Sequence, residues 1–131
     1  MRKTISIVTV RNDGHGASNF SQTTIELDGD DTRCLSEQIP AVNFRLRTSP
    51  PNYDSSYHVA GDPTLLIILN GQLQITLPDG QSKQFCAGEF FIAEDYLAKG
   101  VDFDQGIHGH SAQVLGDQDL QALHLKLSKR S

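Results

Sequence analysis

Five histidines are the residues of this chain with the clearest capacity for chemistry, and two of them form a His-Gly-His triplet. They are His15, His58, His108, His110 and His124. An imidazole titrates near neutral pH and also binds transition metals, so it can serve acid–base or metal chemistry. In an extended segment residues 108 and 110 point to the same face. With His58 they could form a three-histidine cluster, whereas His15 belongs to a turn.

Two adjacent carboxylates, Glu94 and Asp95, follow residues 89–93, which have the composition of a strand. A carboxylate at this position could face the interior of a barrel. There it would act as a general base or fix the tautomer of an imidazole. The alternative is a solvated pair of turn residues, and both interpretations stay open at this point.

Alternation along residues 120–127 places the leucines of this predicted strand on one face and His124 on the other. We expect the leucines to pack in the core and His124 to point away from it. The same alternation in residues 42–47 puts Arg45 and Arg47 opposite their apolar neighbours. The arginines are then an outer-face pair, or an anion-binding pair if that face is covered.

Short segments of alternating apolar and polar residues, separated by turn residues, recur along the chain. No window keeps the apolar stripe of a helix for three turns. Residues 65–69 are apolar on both faces, as in a central strand buried on two sides. Residues 96–107 keep no period and predict a long loop. Many short strands without helices predict an all-β sandwich or barrel.

The composition limits the domain organisation and the partners of the chain. Its 131 residues, 37% hydrophobic and 21% charged, predict one globular domain. A net charge of −5 argues against a nucleic-acid partner, because such proteins carry a basic stripe. The longest apolar run is too short to span a bilayer, so we expect no membrane partner. Cys34 and Cys86 form no disulfide framework, which favours a reducing cytoplasm.

In chain order these segments resemble the cupin superfamily, small barrels of the double-stranded β-helix or jelly-roll type. In the first cupin motif, Asn52, His58 and Gly71 stand at the first glycine, the first histidine and the last glycine. Asn is a tolerable substitute because it also accepts left-handed backbone geometry. Ala60 and Thr64 stand where the family has a second histidine and a glutamate, both metal ligands.

The second cupin motif is less regular in this chain. It starts at Gly88, but Lys99 falls at the nominal histidine position. The chain also resembles a narrower group of small single-domain bacterial cupins, through Pro50-Pro51 and Tyr53-Asp54 in the first half. In the second half Gly109-His110 ends the motif, so His110 is the second-motif histidine and the loop before it carries an insertion.

The resemblance implies an all-β cupin barrel that forms a single domain over residues 1–131. The core barrel would cover about 40–127 and the N-terminal strands 4–28. A homodimer is implied as well, because such barrels pair through strands or sheets. The pocket is expected inside the barrel, near Tyr57. Its predicted lining is His58, Ala60, Thr64, Leu66, Ile75, Glu94 and His110.

The replaced ligands lead to three functional interpretations. The leading one is a cupin that binds a small molecule in its barrel, with no cofactor firmly implied and catalysis left open. The first alternative is a metal-dependent enzyme of dioxygenase or isomerase type. In it, His58, His108 and His110 would hold Fe, Mn, Ni or Zn. The second alternative is a noncatalytic oligomeric or regulatory module.

Overall fold

The computed structural model describes residues 3–129, which fold into ten β-strands without a helix. Within this range there is accordingly no helix that could cross a membrane. The strands are β1 (Lys3–Asn12), β2 (Ser18–Gly29), β3 (Cys34–Leu35), β4 (Ala41–Ser49), β5 (Thr64–Asn70), β6 (Gln72–Thr76), β7 (Ser82–Cys86), β8 (Phe90–Ala93), β9 (Ser111–Leu115) and β10 (Leu120–Leu127).

The strands form two sheets that enclose the core. The larger sheet has the order β3-β2-β1-β8-β5-β10-β4, and the smaller has the order β7-β6-β9. Neighbouring strands are antiparallel except for β1 and β8, which pair in parallel. The structure therefore confirms the prediction of an all-β jelly-roll fold.

Alternating apolar side chains from both sheets build the core. Ile68 and Phe91 come from the larger sheet and Ile75 and Val114 from the smaller one, and all four are fully buried. The rings of Phe91 and Phe85 are stacked, with their centroids 4.4 Å apart. Because the described chain has no helix to cover either sheet, each sheet buries its apolar side chains against the other, and this burial holds the sandwich together.

The inward face of β10 is opposite to the predicted one. Leu120 and Ala122 are buried between the sheets, so His124, which has the same parity, also points inward. The prediction that His124 points away from the core was wrong. Alternation shows which residues share a face, but the apolar face of β10 is the outward one.

The outward face of the larger sheet is apolar and partly open to solvent. On the edge strand β4, Val42, Phe44 and Leu46 are 67%, 64% and 68% exposed. In register, Leu46 lies beside Leu123 of β10, and Leu123 lies beside Ile67 of β5. The outward positions within 42–46, 65–69, 90–92 and 123–127 are all apolar.

The segments between strands contain the special backbone geometry that the sequence suggested. Asn52 has a φ of 68°, which confirms that it takes the left-handed conformation of the glycine it replaces. Residues 94–110 contain no strand and return to β9 through a single bridge between His58 and His110. The prediction of a long loop over 96–107 is confirmed.

The core predicts a large difference between two phenylalanines. We expect Phe91→Ala, at a side chain 1% exposed, to lower the free energy of unfolding by about 3–5 kcal/mol. The exposed Phe103, mutated to Ala, serves as a control and should change it by less than about 1 kcal/mol. Urea unfolding measures both values, and equal losses in the two variants would contradict this assignment of the core.

Candidate functional site

A small cavity of about 80 Å³ lies between the sheets and is the candidate site. A volume of this size holds several waters or a ligand of a few heavy atoms. Its floor is apolar and its remaining walls carry polar groups. The lining residues are Arg47, Ser49, Tyr53, Ser55, His58, Leu66, Leu73, Ile75, Phe91, His110, Ala112, Leu120, Ala122 and His124.

A buried carboxylate, Asp95, orients one wall of this cavity. Its side chain is 0% exposed. Oδ2 accepts hydrogen bonds from the Ser18 hydroxyl at 2.8 Å and from His110 Nδ1 at 3.0 Å. Oδ1 accepts one from the Ala60 backbone N–H at 3.1 Å. Every donor comes from a different segment, so Asp95 joins three parts of the chain.

These contacts keep Asp95 ionised. Burial raises its pKa, but the hydrogen bond from His110 and its electrostatic attraction, with smaller contributions from Ser18 and Ala60, hold the pKa below its ordinary value. An ionised carboxylate only accepts, so Nδ1 of His110 must donate. In the neutral ring, Nε2 is then the free acceptor, and no described residue hydrogen-bonds to it.

His58 lies beside His110 at the cavity. The two ring centroids are 4.7 Å apart, and the two backbones exchange hydrogen bonds of 3.0 and 2.9 Å. Gly109 permits this approach. It has a φ of 86°, and a Cβ there would lie 2.7 Å from the carbonyl oxygen of His58. His58 Nδ1 donates to the Ser56 carbonyl at 2.9 Å.

His108 does not join this pair. It is buried outside the cavity, where its Nδ1 accepts the Asp104 backbone N–H at 3.0 Å and its ring lies 6.2 Å from Phe103. Over residues 3–129, no group of three or more His, Cys, Asp or Glu side chains could hold a metal ion. The donor set thus does not fit the three-histidine centre predicted as an alternative from the sequence.

The other predicted pocket residues divide between the cavity and its surroundings. Leu66 and Ile75 line the cavity with His58 and His110. Ala60 lies outside the lining but donates its N–H to Asp95. Thr64 is buried, and its hydroxyl donates to the Asp62 carbonyl.

Glu94 points to the opposite side of the sheet from Asp95. It accepts two hydrogen bonds from Arg11, at 2.8 and 3.1 Å, and borders an open groove on the outward face. Adjacent residues of an extended chain face opposite sides, so only one of the two carboxylates can enter the site. Tyr57 also lies outside the cavity lining, with its hydroxyl 3.5 Å from the Leu77 carbonyl.

The predicted lining did not include Arg47, Ser55 or His124, although Arg45 and Arg47 were considered as an anion-binding pair if their face is covered. Arg47 has its Cζ 5.1 Å from the centroid of the Tyr53 ring, and its Nε donates to the Ser49 hydroxyl at 3.1 Å. Ser55 and His124 complete this polar wall. The shared parity of Arg47 and Ser49 becomes informative once the inward face of β4 is known.

The fold and the cavity define a jelly-roll protein with a histidine-lined interior, and cupin-domain proteins are among the similar solved structures. A cupin-2 domain protein from Shewanella frigidimarina has 19% identity and a TM-score of 0.45, with 65% of this chain and 69% of that chain covered. The Cnp3 cupin domain of Schizosaccharomyces pombe has 8% identity and a TM-score of 0.49, with 97% and 84% covered. The polyketide cyclase RemF from Streptomyces resistomycificus has 20% identity and a TM-score of 0.46, with 66% and 56% covered. No family model and no curated protein matches the chain. The likeness concerns the fold alone.

The Asp95–His110 pair predicts a change of tautomer on substitution. In Asp95→Asn the amide can donate to Nδ1, so we expect the proton of His110 to move to Nε2 and unfolding to require about 1–3 kcal/mol less. NMR of the imidazole nitrogens reports the tautomer. Glu94→Gln is the matched control and should leave the tautomer of His110 unchanged. An unchanged tautomer in Asp95→Asn would contradict the assignment.

The stability difference should also depend on pH. The lowered pKa of Asp95 stabilises the fold above the unfolded value of 3.8, and this contribution is lost as pH falls through the lowered pKa. The wild type and Asp95→Asn should therefore converge in stability at acid pH.

Proposed function

We propose that the protein binds a small polar molecule in the cavity between its sheets, without a metal, and that His110 is the acceptor that orients it. The observation that carries the proposal is the hydrogen bond from His110 Nδ1 to the ionised, fully buried Asp95. This bond fixes the ring and leaves Nε2 as the free acceptor of a cavity-lining residue.

The composition of the walls supports a bound molecule of mixed character. Leu66, Leu73 and Ile75 provide an apolar floor, while Ser55 and His58 contribute polar groups. Apolar walls with a few placed polar groups are typical of small-molecule sites. The volume of about 80 Å³ restricts the ligand, or the part of it that enters, to a few heavy atoms.

The same pair could serve acid–base chemistry. A neutral imidazole oriented by a carboxylate accepts a proton from a bound hydroxyl or an activated C–H group, and the carboxylate stabilises the imidazolium that forms. Binding is the activity we propose, and proton transfer by His110 would be a consequence of it for a substrate of suitable chemistry.

Filling the cavity tests the binding proposal. Ala112 lines the cavity and is half-buried, so Ala112→Leu should occupy part of the volume. We expect compounds of a few heavy atoms that raise the Tm of the wild type to lose this effect in the variant. Thermal shift with a library of small polar compounds, followed by NMR titration of the His110 ring, measures both properties.

The matched control is Ala87→Leu, an exposed position outside the cavity, which should keep the thermal shifts of the wild type. A library that shifts neither the Tm nor the His110 resonances would contradict the proposal. So would a compound whose effect survives in Ala112→Leu.

We also propose that the partner of this chain is a second copy, bound through the open apolar face of the larger sheet. Strands about 4.8 Å apart, each contributing about five residues at 3.3 Å, give that face an area on the order of 300–400 Å². Apolar patches of this size are often functional. The patch supplies up to about half of the roughly 800 Å² per partner of a specific interface, so the residues around it would have to supply the rest. A two-fold axis lets one patch pair with itself.

A charge on the edge strand tests the dimer. Phe44→Glu should place an unpaired carboxylate in the interface, because Phe44 is 64% exposed and points outward, and should convert dimers to monomers. Sedimentation velocity measures the change. Gln72→Glu, at an exposed position on β6, adds the same charge on the smaller sheet and should leave the dimer intact. A monomeric wild type, or a dimeric Phe44→Glu, would overturn the proposal.

A further inference from the structure

We infer that the ligand of the cavity is a small hydroxycarboxylate, whose carboxylate binds Arg47 and whose hydroxyl donates to His110. This inference rests on the proposed binding function and adds the chemical class of the ligand. It comes from the charges of the lining, from the fixed position of Arg47 and from the surroundings of His124.

The lining contains basic groups but no acidic side chain. Arg47, His58, His110 and His124 all border the cavity, and no Asp or Glu does. Asp95 does not line the cavity and already accepts hydrogen bonds from three donors, one of them His110. Such a wall attracts an anion, even though the whole chain carries a net charge of −5.

Arg47 is held in place without an ion pair. Within residues 3–129, Arg11 pairs with Glu94 and Lys129 pairs with Asp62, whereas Arg47 forms no ion pair. Its guanidinium lies over the Tyr53 ring, and only Nε is used, by Ser49. The two terminal nitrogens stay available for the paired hydrogen bonds that a planar carboxylate accepts.

Three basic side chains surround His124, a residue of the cavity lining, and one of them, Arg47, also lines the cavity. Burial lowers its pKa, and Arg47, Lys126 and Arg45 lower it further. Arg45 lies directly opposite His124 on β4, and within the described range neither Arg45 nor Lys126 has a carboxylate partner. Like charges across a strand pair are unfavourable, so a bound anion would relieve this repulsion.

The tautomer of His110 indicates that the ligand carries a hydrogen-bond donor such as a hydroxyl. Because Asp95 accepts from Nδ1, the neutral ring offers Nε2 as an acceptor in the same cavity. A ligand that binds both Arg47 and His110 needs a carboxylate and a hydrogen-bond donor within a few heavy atoms. Small hydroxycarboxylates are the simplest molecules that meet both conditions within about 80 Å³.

Four matched probes test the inference: lactate, propionate, lactamide and propionamide, which carry the carboxylate and the hydroxyl together, singly or not at all. We expect NMR titration at about pH 8, where histidines of ordinary pKa are neutral, to rank lactate first and propionamide last. Lactate should also raise the pKa of His124, because an anion favours its charged form, whereas lactamide should not. Inorganic phosphate added to the series shows whether any anion suffices.

Arg47→Gln should weaken lactate binding roughly ten- to hundredfold and leave lactamide unaffected. Arg33→Gln removes the same charge at an exposed position outside the cavity and should bind lactate as the wild type does. Circular dichroism of each variant establishes that it is folded.

The outcomes separate the inference from the function on which it rests. Lactamide binding as tightly as lactate, or phosphate binding more tightly than lactate, overturns the hydroxycarboxylate while a cavity ligand remains. The hydroxycarboxylate is also overturned if none of the four probes binds while a library compound binds the wild type but not Ala112→Leu. If no library compound binds the wild-type cavity at all, the proposed function itself fails.

Discussion

The buried carboxylate of Asp95 is the constraint that brings three separate segments of the chain together beside the cavity. An ionised group with no exposed surface is costly unless its lone pairs are satisfied, and here Ser18, Ala60 and His110 satisfy them. These donors lie 77, 35 and 15 residues away in sequence. The start of β2, the segment before β5 and the segment before β9 must therefore meet for Asp95 to be buried. Ser18 extends the network by accepting the Gly109 N–H at 2.7 Å.

This network also sets the chemistry of the cavity. Because Nδ1 of His110 is hydrogen-bonded to Asp95, the ring is fixed and only Nε2 is available to a ligand in the cavity. Asp95 already accepts three hydrogen bonds, and Glu94 is paired with Arg11 on the other side of the sheet. Among the described residues, no carboxylate forms an ion pair with Arg47. The lining of the cavity therefore combines an oriented imidazole, His110, with a cation that no described side chain neutralises.

The fold was largely predictable from the sequence because it depends on local patterns. Alternation gave the strands, the left-handed Asn52 marked a turn, and the unpatterned 96–107 marked the loop. Four residues of the predicted lining border the cavity: His58 and His110, which the motifs marked, and Leu66 and Ile75, which lie on predicted strands. The partner of His110 was not predictable, since the sequence offers Glu94 and Asp95 equally and only long-range packing buries one of them. His108 shares its parity with His110, but its hydrogen bond to the Asp104 N–H holds it in the loop.

The largest misassignment, the inward face of β4 and β10, follows from a physical property of these two strands. A soluble monomer normally buries the more apolar face of an edge strand, yet here Val42, Phe44 and Leu46 face outward. Arg45 and Arg47 lie on the opposite face of β4, where Arg47 lines the cavity. Burying each exposed side chain would contribute about 1.5–3 kcal/mol, and this stabilisation is not realised within one chain. Likewise, within residues 3–129 neither Arg45 nor Arg47 forms an ion pair with a carboxylate. A second copy against the outward face would bury the apolar side chains, and an anion in the cavity would neutralise the positive charge on the opposite face. Together they would explain why these two strands have an apolar outward face and a basic inward face.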